Sequence, residues 1–402
     1  MLFYEIIVLF VLFIVVPCIV FLTLETLAAI YLPKEKRLLV NNDRVVDIDI
    51  VVLIPAHNEE QGLPSVLQSL CIQVAKENIL VVADNCTDGT VEVCKKFGVR
   101  VVERNDSINR GKGFALDFGL SVLKENPPDV VIIMDADVFC EPKAIEKISH
   151  LAVSSGRPVQ ACYLMTNEAG ADFRSSVSAL AFLFKNFIRP LGLSQLKGPC
   201  LLTGTGMAFP WTSLQEVSLA SSNLTEDIQL GIDLAICGYP PLFCPDAKLT
   251  SSLAPTRQSA KVQKTRWEHG QLTALFSQVP YLLGQAIIQL RFDLLLLALE
   301  VAVPPLSLLV LLWGSSTLLS VLLAFFSLAP WLYAQLFVGI GIIFFLSVFF
   351  AWFKFGRDIL SLKQLIIFPM YILWKLPIYF RFFVNKEKHW IRTEREDEHS
   401  EL

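Results

Sequence analysis

Two long stretches without any charged side chain constrain the fold of this chain more than any other feature. Residues 6–24 and 301–353 contain no Asp, Glu, Lys or Arg. The first stretch is long enough to cross a hydrocarbon core of about 30 Å. The second would extend about 80 Å as a helix, which is enough for two crossings. The stretches explain why the chain is 53% hydrophobic and only 18% charged, and they predict three membrane spans.

Basic residues beside these stretches predict their orientation. They follow both stretches, at Lys34, Lys36, Arg37, Lys354 and Arg357. Under the positive-inside rule, the N-terminus lies outside and the region after residue 33 lies in the cytoplasm. We therefore expect an integral, multi-pass membrane protein whose central domain is cytoplasmic. A cleaved signal peptide is the alternative for residues 6–24, but no basic residue precedes that stretch.

A third apolar run, residues 365–374, is short and contains Pro369. Its length favours an interfacial or re-entrant helix, with a fourth span as the alternative. The turn between the second and third spans is expected within residues 313–331, where Gly314, Pro330 and interfacial tryptophans collect. The predicted domains are an N-terminal transmembrane helix (1–32), a cytosolic domain ending in interfacial helices (33–291), two transmembrane helices (292–356), and an interfacial or re-entrant helix with a charged tail (357–402).

Net charge and cysteine content narrow the functional classes. The net charge of -4 provides no basic field for nucleic acid, so no nucleic-acid partner is expected. The nine cysteines contain no C-x-x-C pair, which favours reduced thiols in a domain that faces the cytosol. The apolar stretches described above make the lipid bilayer the first partner that the composition predicts.

The central region alternates short Val- and Ile-rich runs with amphipathic stretches, which is typical of an α/β fold with a mostly parallel mixed sheet and flanking helices. Strands are predicted over residues 49–55, 78–84, 99–104 and 129–137, and helices over 63–72, 90–97 and 113–123. Ligands of such sheets bind beyond the carboxyl ends of the strands. Polar residues stand at those ends, namely His57, Asn58, Glu59, Asp84, Asn85, Asp135 and Asp137.

The pair Asp135 and Asp137 ends the fourth strand. Two carboxylates at one strand terminus can converge on Mg²⁺ or Mn²⁺, which complete their shells with phosphate oxygens and water. A solvated loop start is the alternative. Residues 110–113, RGKG, form a basic Gly-rich turn in which Lys112 and backbone N–H groups could bind phosphate. The simpler interpretation of that turn is an ordinary helix N-terminus.

Two further runs carry candidate site residues. Glu226 and Asp227 lie in the first turn of a predicted helix, where acidic residues are also common because of the helix dipole. Gln263, Arg266 and Trp267 are spaced to share one helix face. A guanidinium beside an indole suits a pyrophosphate and a sugar ring, whereas a membrane-proximal helix with snorkelling side chains is the structural alternative.

Seven motifs in this order carry a resemblance: PAHNEE (55–60), DNCTDGT (84–90), RGKG (110–113), DAD (135–137), GTGMAF (204–209), TED (225–227) and QKTRW (263–267). Together they resemble the membrane-bound branch of glycosyltransferase family 2, which includes the cellulose, chitin and hyaluronan synthases and the ceramide glucosyltransferases. The resemblance covers about 220 residues. It implies a GT-A fold, a nucleotide-sugar donor and inversion at the anomeric carbon.

The resemblance also implies roles for individual residues in the donor site. Glu59 and Asp84 would hold the nucleotide base and ribose, with Lys112 near them. Asp135 would lie at the nucleotide, and Asp137 would bind the metal with Asp135. The implied cofactors are a divalent metal, Mg²⁺ or Mn²⁺, and a nucleotide-sugar donor, for which a UDP-sugar is favoured.

The remaining implied roles concern transfer itself. Asp227 would be the catalytic base, with Glu226 beside it in the catalytic run. Gln263, Arg266 and Trp267 would grip the diphosphate and form the floor of the acceptor site. This division agrees with the chemistry, because a single inverting displacement needs one general base and a Lewis acid on the leaving diphosphate.

The predicted number of spans bears on the acceptor. Polysaccharide synthases of this family that secrete their product have more membrane helices than the three or four expected here, so a membrane lipid or lipid-linked acceptor is the first hypothesis. Synthesis of an extracellular polysaccharide is the second. A non-catalytic scaffold or transporter with a nucleotide-binding domain is the third, although such a protein would need intramembrane ionisable residues. A homo-oligomer or a partner membrane protein remains open.

Overall fold

A computed structural model of the chain describes residues 2–31, 48–166, 173–220, 225–252, 257–365, 372 and 375–384. These residues form two compact units. The sheet unit contains the described residues within 34–166 and 198–259, and the helical unit contains those within 1–33, 167–197 and 260–387. The predicted domain boundaries at residues 32, 291 and 356 were defined relative to a membrane, and they stay predictions. The structure groups residues 173–197 and 260–288 with the helical unit.

The strands and helices are given in chain order. The strands are β1 (Ile50–Ala56), β2 (Ile79–Asp84), β3 (Arg100–Arg104), β4 (Val130–Ile133), β5 (Phe139–Cys140), β6 (Val159–Thr166), β7 (Met207–Pro210) and β8 (Leu242–Ser252). The helices are α1 (Leu2–Tyr31), α2 (Leu63–Leu70), α3 (Thr90–Phe97), α4 (Lys112–Leu123), α5 (Ala144–Ser155), α6 (Phe173–Leu183), α7 (Arg189–Gln195), α8 (Trp211–Leu214), α9 (Glu226–Ile236), α10 (Arg257–Ile288), α11 (Phe292–Ala302), α12 (Leu306–Phe325), α13 (Trp331–Ala351) and α14 (Leu376–Val384).

The sheet unit contains an eight-stranded sheet in the order β3-β2-β1-β4-β7-β6-β8-β5. The β3-β2-β1-β4 part is parallel, with Leu53 opposite Leu80 and Val52 opposite Ile132. Strand β7 pairs antiparallel with both β4 and β6, β5 pairs antiparallel with β8, and β6 pairs parallel with β8. The predicted α/β fold with a mostly parallel mixed sheet and flanking helices is therefore confirmed. The four predicted strands are β1 to β4, and the three predicted helices are α2, α3 and α4.

Helices cover both faces of this sheet because the inner strands are apolar on both sides. One core joins α2, α3 and α5 to the sheet, and the other joins α4 and α9. Helix α4 approaches β1 very closely at Gly119, where an added Cβ atom would lie 2.5 Å from Leu53 Cδ1. Such packing fixes both ends of the parallel strands, and therefore the loops at their carboxyl ends.

Among its described residues, the helical unit contains three helical segments that are long and apolar enough to cross a membrane, namely Leu12–Tyr31, Leu306–Phe325 and Trp331–Gly356. They correspond to the three spans predicted from residues 6–24 and 301–353. The turn between the second and third spans lies at residues 326–330, within the predicted interval. The run predicted as an interfacial or re-entrant helix, residues 365–374, lies outside the described residues except for positions 365 and 372.

Helix α1 continues beyond the predicted apolar run and contains a charged residue that is fully buried. Glu25 is 0% exposed, and it contacts Arg189 of α7, which is 7% exposed. Arg189 Nε donates to Glu25 Oε2 at 3.2 Å, and Arg189 Nη2 donates to Glu300 Oε2 of α11 at 2.6 Å. A charge remains inside an apolar helix here because an opposite charge from another helix pairs with it. We call these three residues the buried triad.

Candidate active site

The carboxyl ends of β1 and β2 are joined by side-chain contacts. His57 Nδ1 lies 2.7 Å from the carbonyl oxygen of Asp84, and because a carbonyl only accepts, the imidazole donates from Nδ1. Asn58 and Asn85 follow the two strands with φ of 54° and 52°, a left-handed conformation that Asn tolerates better than most residues. The peptide N–H of Glu59 donates to Thr90 Oγ1 at 2.8 Å. The predicted residues Glu59 and Asp84 therefore lie together at the carboxyl ends of two neighbouring parallel strands.

Asp84 is held in place by an arginine that sequence analysis did not select. Asp84 is buried, and its Oδ1 accepts from Arg104 Nη1 at 2.6 Å and from Asn85 Nδ2 at 3.0 Å. Arg104 Nη2 also donates to Asp106 Oδ2 at 3.1 Å and to the carbonyl oxygen of Asn109 at 2.7 Å. Arg104 ends β3, so its place beside β2 in the parallel sheet is the signal that could have identified it.

Lys112 and Asp135 form an ion pair at the carboxyl end of β4. Lys112 Nζ also donates to the carbonyl oxygen of Gly204 at 2.6 Å. Burial alone would lower the pKa of Lys112, but the charges of Asp135 and Glu226 outweigh burial and raise that pKa above its usual value. The ammonium group is therefore a permanent positive charge among carboxylates.

The catalytic candidates of α9 lie beside this lysine. A Cβ atom added to Gly204, whose φ is +85°, would be 3.4 Å from Asp227 Oδ2 and 3.6 Å from Lys112 Nζ. Lys112, Gly204, Glu226 and Asp227 line one cavity. The structure therefore brings together residues that are as much as 115 positions apart in the sequence, and we call Lys112, Asp135, Glu226 and Asp227 the carboxylate–lysine cluster.

A buried glutamine that sequence analysis missed fixes the loop that contributes Gly204. Gln160 on β6 is 2% exposed. Its Nε2 donates to the carbonyl oxygen of Thr205 at 2.9 Å, and its Oε1 accepts from the N–H of Thr203 at 2.9 Å. Thr205 Oγ1 in turn accepts from the N–H of Asp135 at 3.0 Å. No sequence signal marks Gln160, because a lone glutamine in a strand is common.

Glu226 has a strongly perturbed pKa. Burial, and after it the charge of Asp227, raises the pKa of Glu226 from 4.5 to about 7, and Lys112 opposes this shift. A neutral Glu226 therefore coexists near pH 7 with its charged form. Glu226 therefore resists ionisation, first because it is buried and second because Asp227 beside it is charged.

We expect this pKa to make the stability of the donor-free protein depend on pH. Because the folded-state pKa lies above the unfolded value of 4.5, the associated stability is fully present below about pH 4.5 and is lost as the pH rises toward about 7. Glu226→Gln should flatten that part of the profile. Melting temperatures of the wild type and the variant between pH 5 and pH 8 test this, and parallel profiles would contradict it.

The residues around Asp135 and Asp137 bear on whether this pair could hold a metal ion. Burial, and after it the charges of Asp137 and Asp135, raises the pKa of Tyr163, whose hydroxyl lies 2.6 Å from Ser251 Oγ. The charges of the D-x-D pair therefore act on Tyr163, a residue that sequence analysis did not select. Within the described ranges, no group of three or more His, Cys, Asp or Glu side chains could hold a metal by itself. Two carboxylates nevertheless fit Mg²⁺ or Mn²⁺ when donor phosphates supply the other ligands.

The Q-x-x-R-W residues lie on α10, in the helical unit. Gln263, Arg266 and Trp267 are all half-buried. The ring of Trp267 lies 5.7 Å from the ring of Phe182 on α6, with 44° between their planes. The predicted roles of these three residues at the diphosphate and acceptor stay predictions.

An α/β unit of this topology, with acidic residues at the carboxyl ends of its strands, is a GT-A fold. The sequence profile described as "Glycosyltransferase like family 2" matches residues 48–270 of this chain. The chain therefore belongs to that family, as the motifs predicted, and its place in the membrane-bound branch stays a prediction.

Individual relatives show how far the similarity extends. The chain is 26% identical over 226 residues to a 4,4'-diaponeurosporenoate glycosyltransferase of Staphylococcus haemolyticus, which is 52% of this chain and 59% of the relative. It is 39% identical over 100 residues to an uncharacterised protein of Methanocaldococcus jannaschii, which is 25% of this chain and 40% of the relative. The chain thus spans about half the length of the curated relatives it matches.

A solved structure shares the fold of the chain. It is a mannosyltransferase from Pyrobaculum calidifontis in complex with GDP-Man and Mn²⁺, and it superposes with a TM-score of 0.53 at 15% identity. The superposition covers 88% of this chain and 99% of the mannosyltransferase. The GT-A fold predicted from the motifs is therefore confirmed.

Proposed function

We propose that this protein transfers a sugar from a nucleotide-sugar donor to a membrane lipid or lipid-linked acceptor, with inversion at the anomeric carbon. The observation that carries the proposal is the carboxylate–lysine cluster at the carboxyl ends of the strands in a chain of glycosyltransferase family 2. Three candidate membrane spans in the same chain support an acceptor that resides in the bilayer.

The proposed transfer is a single displacement. Asp227 accepts the proton of the acceptor hydroxyl as the new bond forms between that oxygen and the anomeric carbon. The bond from the anomeric carbon to the diphosphate breaks, and the diphosphate leaves with the electron pair. A residue that only removes a proton is sufficient, because no covalent enzyme intermediate is formed.

The donor is proposed to bind along the edge of the sheet. Glu59 and Asp84 bind the base and ribose, and Arg104 keeps the carboxylate of Asp84 in one position. Lys112 supplies a positive charge beside the diphosphate. Asp135 and Asp137 would hold a divalent metal, which supplies Lewis-acid stabilisation of the leaving diphosphate when it is bound. Gln263, Arg266 and Trp267 of α10 bind the diphosphate and the acceptor.

The proposed location is the cytoplasmic side of a membrane that the chain crosses several times. Basic residues after the first and third candidate spans support this orientation through the positive-inside rule. Nucleotide sugars and reduced cysteines are both compatible with that compartment. A UDP-sugar is the favoured donor in the proposal.

The full chain in membranes, incubated with a panel of radiolabelled UDP- and GDP-sugars, tests the function. We expect label in the organic extract, because the proposed product is a glycolipid, and we expect chelation of divalent ions to abolish it. Label retained as high polymer would support a polysaccharide synthase instead. No transfer from any donor, with nucleotide binding retained, would support the non-catalytic scaffold or transporter.

A further inference from the structure

Helix α10 has two sides that differ in what they contact. The motif face is formed by Gln263, Arg266 and Trp267. The rear face is formed by Glu268, His269 and Leu272, which are all buried. Successive residues of an α-helix are about 100° apart around its axis, so the centres of the two faces lie on roughly opposite sides of α10.

The rear face is covered by α14 and by the residue that precedes it, Lys375. Leu272 packs with Tyr379 and Phe382 in one buried cluster. The ring of His269 lies 5.3 Å from the ring of Phe382, and His269 Nε2 lies 3.2 Å from the carbonyl oxygen of Ile378. These contacts attach α14 along the side of α10 that faces away from the motif.

A buried polar network fixes the rotation of α10 at the residue that follows Trp267. Glu268 is 9% exposed, and it forms an ion pair with Lys375, which is 8% exposed. The hydroxyl of Tyr379 donates to Glu268 Oε2 at 3.0 Å and lies 2.6 Å from Ser307 Oγ of α12. A buried carboxylate with two specific partners has few alternative positions, because losing either partner leaves a buried group unpaired.

We infer that Lys375 and Tyr379 are positioning residues: through Glu268 they set the rotation of α10 and hold Arg266 and Trp267 in their productive orientation. The inference rests on the proposed function, because only sugar transfer makes one orientation of Arg266 and Trp267 productive. The effect of Lys375 and Tyr379 on the rotation of α10 does not depend on that function. Neither Lys375 nor Tyr379 is inferred to contact the donor or the acceptor. They act through the rear face of α10, which the Q-x-x-R-W pattern does not include.

Lys375→Gln and Tyr379→Phe in the purified full chain test the inference. We expect Lys375→Gln to lower kcat about 10-fold or more, since small misplacement of a site residue is costly. The Kd for the nucleotide-sugar donor should rise as well, because Arg266 is proposed to bind the diphosphate. The Kd for the free nucleoside should change less than about 3-fold, because the proposed base and ribose contacts lie in the sheet unit. Tyr379→Phe should lower kcat in the same direction, and Lys375→Arg should restore most of it.

Trp352→Phe is the matched control for loss of stability. Trp352 is buried in the same unit, and its Nε1 donates to the carbonyl oxygen of Leu360 at 2.8 Å. It is not a member of the polar network described above for Glu268. This variant should lower the melting temperature and leave kcat unchanged. If kcat fell with the melting temperature equally in Trp352→Phe and Lys375→Gln, the role would be structural and the inference would be overturned.

Hydrogen–deuterium exchange separates this inference from the proposed function. We expect faster exchange of residues 263–270 in Lys375→Gln than in Trp352→Phe. Unchanged exchange in that segment overturns the inference, whether or not the protein transfers sugar. A wild-type protein that transfers no sugar overturns the proposed function, while the exchange result still decides whether Lys375 holds α10.

Discussion

Asp227→Asn should lower the rate of sugar transfer by a factor of roughly 10² to 10⁴, the usual contribution of a general base. Asparagine keeps the size of the side chain but cannot accept the proton of the acceptor hydroxyl. Asp227 Oδ1 already accepts from the N–H of Ile228 at 2.8 Å, and Oδ2 faces the side of Gly204 and Lys112. Transfer of label from the donor in membranes or detergent measures the effect.

Donor binding distinguishes loss of chemistry from loss of the site. The Kd for the donor should change little in Asp227→Asn, because the proposed base and ribose contacts come from Glu59 and Asp84. Asp117→Asn on α4 is a matched control, since Asp117 is exposed and its charge lies outside the carboxylate–lysine cluster. A wild-type transfer rate in Asp227→Asn would mean that another group removes the proton.

Arg189→Gln should destabilise the folded protein by about 3–5 kcal/mol, the usual cost of removing one partner from a buried ion pair. Arg189 bridges α7 to both α1 and α11, through Glu25 and Glu300. Without the guanidinium, two carboxylates that are 0% and 4% exposed remain inside the helical unit without a positive partner. Unfolding of the purified variant in detergent, compared with the wild type, measures the loss.

Two further variants decide whether charge is the cause. Arg291→Gln removes the partner of Asp293 from an ion pair whose side chains are 25% and 29% exposed, so it should cost less than about 1 kcal/mol. Combining Glu25→Gln, Arg189→Met and Glu300→Gln removes every charge of the buried triad, and most of the stability should return. If the triple variant were as unstable as Arg189→Gln, packing and not charge would explain the loss.

The sequence predicted the elements whose signals are local. The predicted ends of strands β1 to β4 lie within one residue of the observed ends, except that β4 ends at Ile133 and not at Asp137. Strands β5 to β8 were missed because β5 and β7 are short, because the pairing of β6 with β8 contains a register shift, and because all four strands pair with distant segments. The apolar runs predicted the three candidate spans, since length and hydropathy alone decide whether a helix could cross a membrane.

The N-terminal span shows where a local signal is insufficient. The predicted N-terminal helix (1–32) agrees with α1, which ends at Tyr31, but the apolar run within it ends at residue 24 because Glu25 is charged. The sequence does not indicate how that charge is accommodated. Only the tertiary structure shows that Arg189, 164 residues later, provides the opposite charge. Glu300 of α11, which follows Arg189 by 111 residues, belongs to the same triad.

By itself, the sequence determined the fold class, the family and the kinds of side chain at the strand ends, because periodicity and motif spacing are local properties. The tertiary structure decided which of those side chains meet. It placed Lys112 between Asp135 and the carbonyl of Gly204, and it supplied Arg104 and Gln160 as supporting residues. Those contacts join distant segments, and their energies depend on burial and on charges that only the folded chain brings together.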